Sequence, residues 1–237
     1  PRQPNHYFSH TSVKKKLIDV TGAESIEEAI VIGVQRVGDA VCSKVYATPD
    51  GDTMQVAAML FDVGYKQEEV SKGIRMTDFS RIMHGCRGVG IGPTEKPMPE
   101  FDVSPKRMRR AGPNPKRPRW YVPRETLNGV PIVRFDANYW KSLAAARLMQ
   151  KRQSAGEWSF YGNHRVDHSH YCDQLVAEEP VPTTAKGRTV VQWKVRPNHE
   201  NHWFDTFVGC TVAASLIGVP LPGGAQTQPV ARAKPKK

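Results

Sequence analysis

Two aspartates stand in settings where a carboxylate is costly unless something offsets its charge. Asp62 closes the apolar run Met54 to Phe61 and is followed at once by Val63-Gly64-Tyr65. In α/β sheets the carboxyl end of a central strand, beside a glycine turn, is where reactive groups are exposed. An ionised carboxylate there calls for a cation; the plain structural alternative is a cap for the helix beginning near Lys66, or an ordinary turn. Asp205 lies one turn into the last apolar helix, among Trp203, Phe204, Phe207 and Val208. His202 precedes it by three and shares its helix face, so both could approach a metal or a phosphate. The alternative is an acid favoured by the helix dipole, with Asn201 as cap.

Other groupings are weaker. His164, Asp167, His168, His170, Cys172 and Asp173 suggest zinc, and His164 with His168, or Asp167 or His168 with Cys172, have usable spacing. His168 and His170, however, lie two apart and point different ways in a helix, and no paired cysteine motif accompanies them. The stretch reads instead as the polar start of a helix carrying Tyr171, Leu175 and Val176. Gly85, Gly88, Gly90 and Gly92 fall near one another without a Gly-Lys-Ser/Thr, so they match neither a Walker A loop nor a dinucleotide fingerprint. A Gly-x-Ser-x-Gly hydrolase elbow is also missing.

The elements that must position these residues follow an α/β order. Apolar residues from Ile26 to Val45 recur at three and four, predicting a helix from Ser25 to Tyr46 with a capping box of Ser25 and Glu28. After a turn at Pro49-Asp50-Gly51, Met54 to Phe61 reads as a strand buried on both faces. Lys66 to Met76 predicts a helix, Arg81 to Ile91 a strand, Val130 to Phe135 a strand closed by Asp136, and Asn138 to Met149 a helix. Thr189 to Val195 pairs with Val181 to Thr184 around the turn at Lys186-Gly187, and Trp203 to Ile217 is a buried helix. The folded part spans 12–218, preceded by a flexible 1–11 and followed by a disordered basic tail, 219–237.

Composition bounds the partners. The 237 residues carry 34 Lys and Arg against 23 Asp and Glu, a formal charge of +11, which suits a polyanion such as nucleic acid. No apolar run is long enough for a membrane span or resembles a secretory signal. Cys42, Cys86, Cys172 and Cys210 are dispersed, arguing against a disulfide framework and for a reducing compartment. Lys106, Arg107, Arg109, Arg110, Lys116, Arg117, Arg119 and Arg124 fall in the proline-rich segment 105–124, which contains no acid and reads as an exposed basic loop that grips phosphates. Trp120 and Tyr121 would there offer stacking surfaces.

Three stretches, taken in order, resemble the C-terminal nuclease part of tailed-phage terminase large subunits, the DNA-packaging motor proteins. Met59-Leu60-Phe61-Asp62-Val63-Gly64-Tyr65 resembles the family's strand ending in Asp-x-Gly-Tyr. Val133-Arg134-Phe135-Asp136-Ala137-Asn138-Tyr139-Trp140-Lys141-Ser142 resembles its later strand and Trp-Lys helix. Leu175-Val176-Ala177-Glu178, Gly187-Arg188 with Gln192-Trp193-Lys194, and Asn201-His202-Trp203-Phe204-Asp205 resemble its closing helix, hairpin and Asn-x-x-x-Asp helix.

The resemblance implies a ribonuclease H-like α/β fold, a mixed central sheet flanked by helices, incomplete at its N-terminus. It implies a nuclease that cuts concatemeric phage DNA during packaging, in the cytoplasm of an infected or lysogenic bacterium. It implies two Mg²⁺ or Mn²⁺ ions, with Asp62 in the family's second acidic position and Asp205 in its third, both catalytic, and His202 as a supporting group. The implied partners are double-stranded DNA, the terminase small subunit, the ATPase part and the portal protein. The family's first acid lies on an opening strand; here only Val13 to Val20, with Asp19, stands in that region, as a late strand of that opening sheet or a replacement for it. A reading from another class is a catalytically incomplete DNA-binding or assembly module of a split or truncated terminase. A third acid beside both Asp62 and Asp205, whether Asp19, Asp136 or Glu28, separates the two.

Overall fold

The computed structural model describes residues 16–47, 51–151, 154, 157–158 and 168–220. The N-terminal 1–11 and the tail beyond 220 lie outside them. The Ser25 half of the predicted capping box forms, with Ser25 Oγ accepting the Glu28 N–H at 3.2 Å, while Glu28 Oε2 accepts the N–H of Glu24, at 2.9 Å, rather than that of Ser25. Ser25 is the N-cap of α2, Ile26–Cys42, which stops short of Tyr46 because Tyr46 and Ala47 enter a short ribbon. In that ribbon β1, Tyr46–Ala47, pairs with β2, Thr53–Met54.

The segment before α2 corrects an expectation. Val13 to Val20 reads as a strand, yet Leu17–Thr21 is a helical turn, α1. Thr21 Oγ1 bonds back to the Leu17 carbonyl at 2.8 Å, and Gly22, at φ 72°, closes the turn in the left-handed region that favours glycine. The Arg36 guanidinium donates to the carbonyls of Val20 and Thr21, tying α1 to α2.

Five strands form a mixed sheet in the order β3-β4-β7-β6-β5: Met59–Asp62, Met83–Val89, Ile132–Asp136, Arg117–Pro123 and Met108–Asn114. β3, β4 and β7 run parallel, so their carboxyl ends share one end of the sheet; β5, β6 and β7 form an antiparallel meander. The expected long strand from Met54 is therefore only Met59–Asp62, and β3 is an edge strand among the described residues rather than a central one. Its apolarity reflects cover on both faces. Leu60 packs with one core cluster, while Met59 and Phe61 pack with the other.

The second of those clusters lies under α2 and α3, Gln67–Arg75, and holds Val34, Val70, Ile74 and Met83. The two helices approach closely where Gly73 meets Val34; a Cβ there would come within 2.9 Å of the Val31 carbonyl oxygen. The first cluster lies under α4, Ala137–Leu148, α5, Ser169–Leu175, and α6, His202–Leu216. It holds Trp120, Val133, Phe135, Trp140, Phe204, Val208 and Val212. A separate hairpin, β8 Glu178–Ala185 and β9 Arg188–Val195, turns at Lys186-Gly187, both at positive φ, as the sequence predicts.

The basic segment 105–124 is not a loop. It supplies β5 and β6, because Pro118, Trp120 and Val122 alternate inward while Arg117 points to solvent. Gly112 lets the Trp120 ring lie against β5, where a Cβ would fall 2.5 Å from the ring. Pro118 and Pro123 flank the short stretch, Trp120 and Tyr121, that pairs with β7, so neither removes a hydrogen bond from that ladder.

Candidate functional site

Alternation along β3 puts Asp62 on the same face as Leu60, the face covered by α6. Asp62 is exposed at the strand's end, and its Oδ1 accepts the Gly64 N–H at 2.9 Å. No other hydrogen bond reaches the carboxylate from the described residues. It is not the cap of α3, whose N-cap is Lys66. Its β4 partner in register, Cys86, is buried, and burial with the added charge of Asp62 pushes that thiol up to about 12. The thiol is therefore a neutral wall beside the carboxylate rather than a nucleophile.

Asp205 lies in the first turn of α6, next to the buried Phe204, and α6 packs against β3. The Asn201 side chain does not cap the helix; the Trp203 N–H is taken by Gln174 Oε1 at 3.0 Å. Instead Asn201 Nδ2 donates to Asp205 Oδ2 at 2.8 Å and to Glu178 Oε1 at 2.5 Å. Lys141 Nζ lies 2.9 Å from Asp205 Oδ1 and 2.5 Å from Glu178 Oε1. Side-chain exposure grades from 1% at Glu178 through 15% at Lys141 to 51% at Asp205, so the cluster opens outward at the aspartate. Glu178, Lys141 and Asn201 escaped sequence reasoning as site residues. They belong to three separate motif fragments, and only the fold joins them.

Two of the three acids considered as a third partner are otherwise engaged. Asp136 caps α4 by accepting the Tyr139 N–H at 3.1 Å and pairs with Arg119, also at 3.1 Å. Glu28 accepts the Glu24 N–H just before α2, and Asp19 is exposed on α1. Among the described residues no group of three or more His, Cys, Asp or Glu is gathered as for a metal ion. His202, the first residue of α6, is exposed. His164 and Asp167 lie outside the described residues.

The basic surface divides into held and outward groups. Arg119 is clamped between Asp136 and the Tyr139 ring, 4.4 Å from its centroid. Arg110 lies over Trp120, Arg107 pairs with Asp102, and Arg124 donates to the Pro105 carbonyl. Lys106, Arg109, Lys116 and Arg117 are exposed and make no ion pair among the described residues. Trp120, at 2% exposure, is a core residue and not the stacking surface its neighbours suggest; its indole N–H donates to Ser215 Oγ at 2.8 Å. Tyr121 packs edge-on against Phe101.

A carboxylate at the end of a parallel strand, a second in the first turn of the helix packed against that strand, and a basic hairpin at the far edge of the sheet suit work on a phosphodiester. A comparison with protein families agrees: the model described as terminase large subunit gpA, endonuclease domain, matches residues 34–226. That is most of the chain, which therefore belongs to this family, whose role is nucleolytic in phage DNA packaging, and has its ribonuclease H-like α/β fold. Neither curated proteins nor solved structures give a match. Among the described residues no helix is long and apolar enough to cross a membrane.

Proposed function

We propose that this terminase endonuclease domain hydrolyses phosphodiester bonds of double-stranded concatemeric phage DNA with the help of divalent metal, and that Asp62 and Asp205 are its metal-binding catalytic acids. The observation that carries this reading is the packing of α6, with Asp205 in its first turn, against β3, which ends at Asp62. The donors fit the group. Both are hard, anionic oxygens open to solvent, the type Mg²⁺ and Mn²⁺ select. When bound, such ions activate a water and stabilise the leaving oxygen.

The chain's own contribution is to hold and orient. The Gly64 N–H fixes one oxygen of Asp62, and no described residue donates to the other. Lys141 and Asn201 each take one oxygen of Asp205. Lys106, Arg109, Lys116 and Arg117 meet backbone phosphates, which gives affinity without sequence preference. Sequence choice and delivery of DNA then fall to the other packaging proteins: the small subunit, the ATPase part and the portal protein.

The lack of a gathered third acid among the described residues favours a second reading, a binding module that needs a further carboxylate before it can cut. Cleavage of supercoiled plasmid with Mn²⁺, Mg²⁺ or EDTA decides between them, comparing wild type with Asp62→Asn and Asp205→Asn. Nicking that needs metal and vanishes in both variants supports the nuclease. Metal-independent DNA binding without nicking in any of the three supports the module.

A further inference from the structure

Asp205 presents a problem that its neighbours solve. A carboxylate half exposed on the first turn of a helix is free to rotate, and a metal ligand that rotates must be ordered when the ion arrives. Here each oxygen meets a donor, Lys141 Nζ at 2.9 Å on Oδ1 and Asn201 Nδ2 at 2.8 Å on Oδ2. Both donors are themselves fixed, because each also bonds Glu178 Oε1 at 2.5 Å. One buried oxygen on β8 thus locks a lysine from α4 and the asparagine that precedes α6. A carboxylate oxygen has two lone pairs, so one donor on each leaves Asp205 an outward acceptor on each.

The arrangement is not explained by stability. Glu178 is 1% exposed and its Oε2 is buried with no hydrogen-bond partner. A buried ion pair of this kind usually contributes no more than apolar side chains of the same volume would. Its charge is spent next to an exposed aspartate.

We propose that Lys141, Glu178 and Asn201 are positioning residues that fix the carboxylate of Asp205 for a divalent cation. The inference rests on Asp205 being a metal ligand and goes beyond it by naming what orients that ligand. Lys141 and Glu178 cancel in charge, so removing them together leaves the local charge unchanged. A change in metal affinity then reports orientation.

The test uses the full chain as Lys141→Met/Glu178→Met, with Asp205→Asn and Asn201→Leu as separate arms. Mn²⁺ binding is measured by calorimetry without DNA, and circular dichroism and thermal unfolding check the fold. Supporting groups behind metal ligands typically change affinity about ten- to hundredfold. The double variant is expected to fold and to lose Mn²⁺ affinity within that range. The Mn²⁺ needed for half-maximal plasmid nicking should rise to match. Asn201→Leu, which removes one donor and no charge, should weaken Mn²⁺ binding up to about tenfold and keeps the question open to measurement if the double variant misfolds. Wild-type Mn²⁺ affinity in the folded double variant or in Asn201→Leu, with binding lost in Asp205→Asn, overturns the positioning role alone. Wild-type Mn²⁺ binding in Asp205→Asn, or no binding in the wild type, overturns Asp205 as a ligand and the positioning role with it.

Discussion

If the β5–β6 hairpin grips DNA through phosphates, neutralising it must change the salt dependence of binding and not merely its strength. Arg109, Lys116 and Arg117 are the residues to change to glutamine: all are exposed and make no ion pair among the described residues. Their removal should not disturb the sheet, whose core side is made by Pro118, Trp120 and Val122. Each phosphate neutralised contributes about −0.9 to the slope of log affinity against log salt, so losing all three should flatten the slope by about 2.7. Over a fourfold range, about 50 to 200 mM, the wild type's advantage over the variant should shrink by roughly 40-fold. The assay is fluorescence anisotropy with a short duplex in EDTA, where nothing is cut. Lys72→Gln/Arg75→Gln on α3, which covers the other core cluster, controls for net charge. An unchanged slope in the hairpin variant, or an equal fall per charge in the control, refutes a localised phosphate grip.

Three further outcomes follow from packing and titration. Gly73→Ala drives a Cβ against Val34 and the Val31 carbonyl where α2 crosses α3, and should cost about 1–3 kcal/mol in denaturant unfolding. Ser215→Ala leaves the Trp120 indole N–H without its buried acceptor and should cost about 1–3 kcal/mol by the same measurement, with DNA affinity retained. His84 is held below its ordinary value of 6.5, chiefly by burial and further by Arg110, while the neighbouring Ile82 backbone opposes the shift. The folded state then binds fewer protons than the unfolded chain, so its contribution is complete above about pH 6.5 and is lost as pH falls through the lowered folded value. Unfolding midpoints measured downward from pH 7.5 should fall less steeply in His84→Gln than in wild type.

What could be read from the sequence was what local chemistry decides. The capping box at Ser25 and Glu28 names the start of α2, and the Lys186-Gly187 turn sets the β8–β9 register, because both are settled within a few residues. The hairpin at 105–124 was hidden by composition: arginines and prolines drown a period of two carried only by Pro118, Trp120 and Val122. That alternation was the available signal. Asp62 and Asp136 look alike as acids that end strands, and they part only in space, where Asp136 meets Arg119 and caps α4 while Asp62 stays open. Glu178, Lys141 and Asn201 could not be joined by spacing at all, since their bonds connect α4, β8 and the turn before α6.

The order of the sheet also fixes how gripping and cutting relate on the proposed function. β5 lies four strands from β3, and adjacent strands are about 4.8 Å apart, so the hairpin sits roughly 19 Å from the strand that carries Asp62. Duplex DNA advances about 3.4 Å per base pair, so that span corresponds to some five or six pairs, about half a helical turn, for a duplex lying across the strand ends. The outward lysines and arginines therefore hold phosphates away from the scissile one, and their loss should weaken binding more than it slows the bound reaction. Chemistry at the other edge depends instead on side chains held to a fraction of an ångström, which is the task of the Gly64 N–H at Asp62 and of the buried Glu178 behind Asp205. Grip tolerates a mobile hairpin tip; metal ligation does not. Solvated charge accordingly gathers on one margin of the sheet, and buried, paired charge under the first turn of α6.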